Sequence, residues 1–245
     1  MEISLASDIF PKAMLDMAFQ DAFAEVARVH LLMSRHEAES ELSQFNRLAC
    51  HQWLTVSADT LAVFAFANEL SQQSAGLFDL FTTSHDPQSG CWSDLEVDIA
   101  NRRLRKHQPL VADLGGIAKG YAVDCAVQAL KAHGAGGDLA QGGRESRGFV
   151  NAGGDARVFG ELELPLQVRH PLEAAMVMNV GTLANAAVAT SVLDRRTSQT
   201  VVAPSCMVAD ALTKIVFVSG DAQHPLLAKY DARSWIVGGD ATILA

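Results

Sequence analysis

An α+β fold, with helices set beside largely antiparallel sheets, is what this chain of 245 residues predicts, and three observations carry the prediction. Hydrophobic residues make up 49% and charged residues only 19%, enough for a well-buried core in one large domain or two small lobes. Helical and strand-like patterns are mixed without the regular strand–helix alternation that builds a doubly wound sheet. No internal repeat and no Pro- or Ser-rich linker divides the chain, so residues 1–245 read as a single globular unit with room for two lobes.

The elements follow in order. After Pro11, "AMLDMAFQDAFAEVARVHLLMS" places Met14, Met17, Ala18, Phe23, Val26, Ala27, Val29 and Leu32 at near-helical spacing, which predicts a long amphipathic helix with its methionines in the core. A Ser- and Glu-rich loop leads to "SADTLAVFAFANELSQQSAG", a second helix capped by Ser57 or Asp59 and ending near Gly76. Residues 95–111, "LEVDIANRRLRKHQPLV", read as a hairpin with Asn101 at its turn. The Gly-rich stretch 133–148 reads as a loop entering a strand, "GFVNAGGDARVFG". The last third alternates short strands with one helix, "SCMVADALTKIVFVSG".

Composition excludes several classes of partner. A formal charge of −9 with 19 scattered basic residues does not suit the phosphate backbone of a nucleic acid. The run "NRRLRKH" (101–107) fits the solvated end of the hairpin. Cys50, Cys91, Cys125 and Cys206 form no C-x-x-C pair and read as reduced, structural residues. The start lacks the basic and apolar regions of a signal peptide, and no apolar run nears the roughly 20 residues of a transmembrane helix. A cytoplasmic location is the expectation, or a periplasmic one for the mature form of a longer product.

The chemistry concentrates at "VADLGGIAKGYAVD" (111–124), read as a strand, a turn at Gly115 and Gly116, and a helix with the stripe Ile117, Tyr121, Ala122, Ala126 and Leu130. The free N–H groups of a helix N-terminus attract anions. Lys119 in the first turn opposes the helix dipole, and an anionic ligand would account for it. Neither G-x-G-x-x-G nor G-x-x-x-x-G-K-[ST] is present, so a plain tight turn remains an equal reading on glycine spacing alone. A second corner couples Gly153 and Gly154 to Asp155 and Arg157. In a third, Asp210 and Lys214 stand one helical turn apart, either as a surface ion pair or, given flanking "MV" and "IVFV", as charges that need a partner inside an apolar segment. Three such corners suggest a phosphorylated ligand with a hard divalent cation held by carboxylate and carbonyl oxygens.

The phrase "DLGGIAKGYAVD" resembles the signature of the ApbE family, the magnesium-dependent FAD:protein FMN transferases. "MSRHEAESELSQFNR" (33–47), "GLFDLFT" (76–82), "NAGGDARVFG" (151–160) and "VVAPSCMVADALTK" (201–214) resemble further blocks of that family in order and spacing, so the similarity covers about residues 30–220. The resemblance implies FAD as substrate, Mg²⁺ as cofactor, and transfer of FMN to a Thr or Ser of a target flavoprotein. Carried over, it makes His36, Leu77, Phe78, Asp79, Asp113, Gly115 and Lys119 contacts of FAD. It makes the Gly116 carbonyl and the Asp210 carboxylate metal ligands, and Lys119, Asp194 and Lys214 the candidate catalytic residues.

The chain departs from that pattern at informative places. The family carries a Thr four residues after its metal-binding Asp, and here that position is Lys214, with Thr213 one place early. An ammonium cannot ligate a cation, but it can supply positive charge to a diphosphate. In "ATSVLDRRTS" (189–198) Ser191 stands where the family's catalytic His belongs and Arg195 where a Pro belongs, and His36 stands where an aromatic ring is usual. Two readings follow: a transferase in which Lys214 replaces part of the metal's electrostatic role and His36, His170 or Asp194 assists the nucleophile, or a non-catalytic flavin-binding or scaffolding protein.

Overall fold

The computed structural model describes residues 1–7, 11–81, 90–135, 146–173, 175–192 and 196–245. The chain divides into two units, the first formed by Met1–Val26 with Lys119–Ala245 and the second by Ala27–Ala118. Among the described residues the fold is α+β, with every paired strand antiparallel, and no helix is long and apolar enough to cross a membrane.

In the second unit, helix α1 (Lys12–Met33) ends, α2 (Glu41–Arg47) and β2 (Trp53–Thr55) follow, and α3 (Ala58–Gln73) leads to the hairpin β3 (Leu95–Asp98) and β4 (Arg103–Lys106). Ser57, not Asp59, caps α3: its Oγ accepts the Thr60 N–H at 3.3 Å, while Asp59 pairs with Arg28 at 2.5 Å. Asn101 occupies the hairpin turn as expected, its N–H and amide both donating to the Asp98 carboxylate. The basic run lies along this hairpin, where Arg103 and Arg105 stand over the Trp53 ring at 4.2 and 4.3 Å and pair with Asp98 and Glu96. Lys106 is the exception, 3% exposed, with its ammonium donating to the carbonyls of Phe45, Asn46 and Leu110 at 3.0–3.1 Å. Phe45 and Phe64, 5.0 Å apart, anchor the core beside it.

The first unit is built on a sheet of seven strands. Their spatial order is β1 (Glu2–Ser7), β5 (Ser146–Ala152), β6 (Asp155–Phe159), β9 (Ala187–Ser191), β10 (Thr197–Ala203), β11 (Arg233–Gly238) and β12 (Ile243–Leu244). Strands β7 (Glu163–Arg169) and β8 (Val177–Ala184) form a separate pair, and α5 (Cys206–Ser219) and α6 (Pro225–Lys229) complete the unit with α4 (Ala118–Ala132). Ala18 and Ala22 of α1 and Val123, Ala126, Val127 and Leu130 of α4 pack with Val150 and Phe159 of the sheet as one buried cluster.

Several sequence expectations change here. Met17 and Phe23, assigned to the buried stripe of α1, are 57% and 48% exposed, because the buried line runs through Ala18, Ala22, Val29 and Met33. "GFVNAGGDARVFG" is a hairpin and not one strand: Gly153 (φ +70°) and Gly154 (φ +105°) turn the chain in the left-handed region that glycine favours. Strand β1 and the one-turn helix α6 were not anticipated. The expected strand before Asp113 is absent, because the backbone of Ala112 pairs with the Asn46 side chain at 2.8 and 3.0 Å instead of a neighbouring strand. Of the Gly-rich stretch, residues 136–145 lie outside the described residues.

Candidate active site

Lys119 is the second residue of α4, where no acidic side chain offsets its charge against the helix dipole. The compensation comes from the first unit's own sheet and α5. The Lys119 ammonium donates to the Asp155 carboxylate and stands 3.7 Å from Asp210 Oδ2. Both carboxyl side chains are 2% exposed, whereas Lys119 is 51% exposed. Burial alone would lower the lysine's pKa, but the charges of Asp210 and Asp155 outweigh it and raise the value above the usual lysine range. The Asp155 carboxyl moves up as well, first through burial and then through the Asp210 charge, against the opposing pull of Lys119.

The start of α4 meets the start of α5. A methyl group placed on Gly120 would overlap the Cys206 carbonyl and lie 2.8 Å from the Met207 nitrogen, so only glycine lets the two backbones approach this closely. Asp124, one turn further along α4, accepts the N–H groups of Cys206 and Met207 at 3.0 and 2.9 Å and pairs with Arg157 at 2.5 Å. With Ser205 Oγ accepting the Val208 N–H, the first turn of α5 is capped from two directions. The Cys206 thiol is held well above its usual pKa by burial and by Asp124, Asp155 and Asp210, which keeps it a protonated, inert filler. The start of α4 and an exposed ammonium therefore meet at one corner of the unit, an arrangement suited to an anion.

Behind this corner stands Lys214. Its ammonium donates to Ser191 Oγ at 2.6 Å, Thr213 Oγ1 at 3.0 Å and Asp210 Oδ1 at 3.3 Å. Thr213 spends its own proton on the Asp210 carbonyl at 2.6 Å. Asp210 Oδ2 is buried and accepts no hydrogen bond among the described residues. The pair that sequence left as either surface or embedded is thus embedded: Asp210 is 1% exposed and the Lys214 side chain 24%.

Most of the remaining predicted residues belong to the second unit, whereas His170 belongs to the first. Asp113 pairs with Arg35 at 3.1 Å and accepts the Gly115 N–H at 2.8 Å, which closes the turn before Gly116. His36 is exposed next to Arg35, whose Nε lies 3.4 Å from its ring. Asp79 accepts the Phe81 N–H at 2.9 Å and the Trp92 N–H at 3.4 Å, and burial raises its pKa in spite of these bonds. Phe78 is buried at 3% exposure and Leu77 half-buried. His170 is buried with Nδ1 accepting the N–H groups of Leu172 and Glu173. Asp194 lies outside the described residues. Sequence reasoning missed Asp124, whose signal was a lone carboxylate inside an apolar segment, and did not rank Asp155, which showed only as part of a glycine corner.

Fold and corner together define an α+β protein whose paired lysines and buried carboxylates are arranged to receive an anion. The chain belongs to the ApbE family, whose model matches residues 1–199. Its fold is similar to that of the ApbE protein from Thermotoga maritima, with a TM-score of 0.77 at 22% identity over 98% of this chain and 91% of that one. The Pseudomonas stutzeri flavinyl transferase ApbE gives 0.74 at 18% identity over 99% and 94%. The flavin transferase ApbE from Vibrio cholerae gives 0.72 at 20% identity over 99% and 92%. Comparison with curated proteins gives no match.

Proposed function

We propose that this chain transfers the FMN half of FAD to a Thr or Ser hydroxyl of a target flavoprotein. The observation that carries the reading is Lys119, an exposed ammonium fixed by the buried Asp155 and Asp210 where α4 and α5 begin. Family membership supports it, as do the flavin transferase names of two similar folds. The acceptor oxygen attacks the FMN phosphorus, the bond to the bridging oxygen breaks, AMP leaves with that oxygen, and the hydroxyl proton is released. Negative charge grows on the diphosphate during this exchange, and Lys119 at the start of α4 is placed to stabilise it.

The resemblance also assigns Mg²⁺ to the Gly116 carbonyl and the Asp210 carboxylate. A hard dication takes oxygen ligands in near-octahedral array, and among the described residues no group of three or more His, Cys, Asp or Glu side chains is placed to hold a metal. The Asp210 carboxylate is flanked by the ammoniums of Lys214 and Lys119. These neighbours do not fit a dication, and no step above is routed through one.

Flavin binding without transfer is the second reading, favoured by Ser191: it accepts a hydrogen bond from Lys214 at the position where the resemblance places a catalytic histidine. Incubation with FAD and a flavoprotein domain, followed by intact-mass measurement, separates the two. One added FMN per acceptor with release of AMP is the expected result; FAD binding without adduct or AMP selects the second reading.

A further inference from the structure

We propose that the Lys214 ammonium is a tethered cation that takes the place of a dissociable divalent ion at Asp210, so that flavin transfer by this chain needs no added Mg²⁺. The inference rests on the transfer reading above and adds to it the identity of the site's cation.

An ammonium has three N–H donors and no acceptor. All three donors of Lys214 are directed at oxygens, Ser191 Oγ, Thr213 Oγ1 and Asp210 Oδ1. These oxygens come from the end of β9 and from two turns of α5, and Asp210 and Lys214 share a helix face by their spacing of four. The ammonium is therefore seated in a ring of hydroxyl and carboxylate oxygens of the kind a hard metal ion would use. A metal could take Asp210 Oδ1 only by displacing it.

Charge points the same way. Lys119 and Lys214 face Asp155 and Asp210, two ammoniums against two carboxylates whose side chains are 2% exposed. A dication added to this cluster would bring two positive charges with no carboxylate left to balance them, and uncompensated charge in a buried place is costly. The cluster is already balanced, and Lys119, its exposed member, is the group left to meet a diphosphate. Asp210 Oδ2, buried and without a hydrogen bond among the described residues, faces Lys119 at 3.7 Å and completes the link between the two lysines.

Two readouts test this. The first uses flavin-free protein titrated with Mn²⁺, with free ion followed by its paramagnetic resonance signal. The wild type is expected to show no binding that Asp210→Asn removes, whereas Lys214→Thr gains binding that the Lys214→Thr, Asp210→Asn double variant loses. The second uses transfer measured in a chelator. Wild-type rate is expected to be unchanged, while Lys214→Thr falls about a hundredfold and recovers when Mg²⁺ is added. Wild-type Mn²⁺ binding that depends on Asp210, or wild-type transfer abolished by the chelator, overturns the proposal without recourse to any variant of Lys214. If no transfer occurs under any condition, the proposed function fails, and the Mn²⁺ titration still decides the role of Lys214.

Discussion

At the scale of single residues, Gly120 and Lys119 make opposite demands on the start of α4. Ala in place of Gly inside a helix normally stabilises by about 0.5–1 kcal/mol. Here the added methyl meets the Cys206 backbone, so Gly120→Ala should instead destabilise by about 1–3 kcal/mol in urea unfolding. Lys119→Gln should leave the fold intact, since the side chain is 51% exposed, yet reduce transfer by about a hundredfold in single-turnover assays. Lys119 was legible in sequence from its place against the helix dipole, and Asp210 and Lys214 because charges stood inside an apolar segment. Asp155 was visible only as part of a glycine corner, because its partner Lys119 lies 36 residues away and nothing local announces the pair. Ser191 showed itself as a departure from a family pattern, and the structure supplies what that departure does: it accepts a hydrogen bond from Lys214.

Elements explain why this corner is rigid. Asp124 binds the first two N–H groups of α5 and the Arg157 guanidinium together, tying α4, α5 and β6 at one carboxylate. Asp124→Ala should cost about 2 kcal/mol or more in chemical unfolding, through loss of the cap and of Arg157's partner, and Asp124→Asn less. In the second unit, Lys106→Met should cost about 1–3 kcal/mol, because three carbonyls lose their donor. The long helices and the β3–β4 hairpin were readable from periodicity, caps and the Asn101 turn. Strand β1 was not, since its six residues gain strand character only by pairing with β5, more than a hundred residues later in the chain. The strand expected before Asp113 failed for a related reason: its backbone partner is a side chain, that of Asn46.

Across the whole molecule, the lysine–carboxylate cluster ties stability to pH in a direction that can be stated. Asp155 has a folded pKa above 3.8, so its contribution is fully present below about that pH and is lost as pH rises through the folded value. The unfolding free energy of the wild type relative to Asp155→Asn should therefore increase as pH falls from neutral. A decrease over the same range would mean that Lys119 outweighs burial. Lys119 is raised too, so its share persists below about 10.5 and fades only above it. Fold class could be read from sequence since it rests on local patterns, whereas the division after Val26 and Ala118 depends on contacts far apart in the chain. The most direct test of the central claim is the intact mass of a flavoprotein acceptor after incubation with this chain and FAD. The account predicts one phosphoester-linked FMN per acceptor and an equal amount of AMP; bound FAD with an unmodified acceptor and no AMP would contradict it.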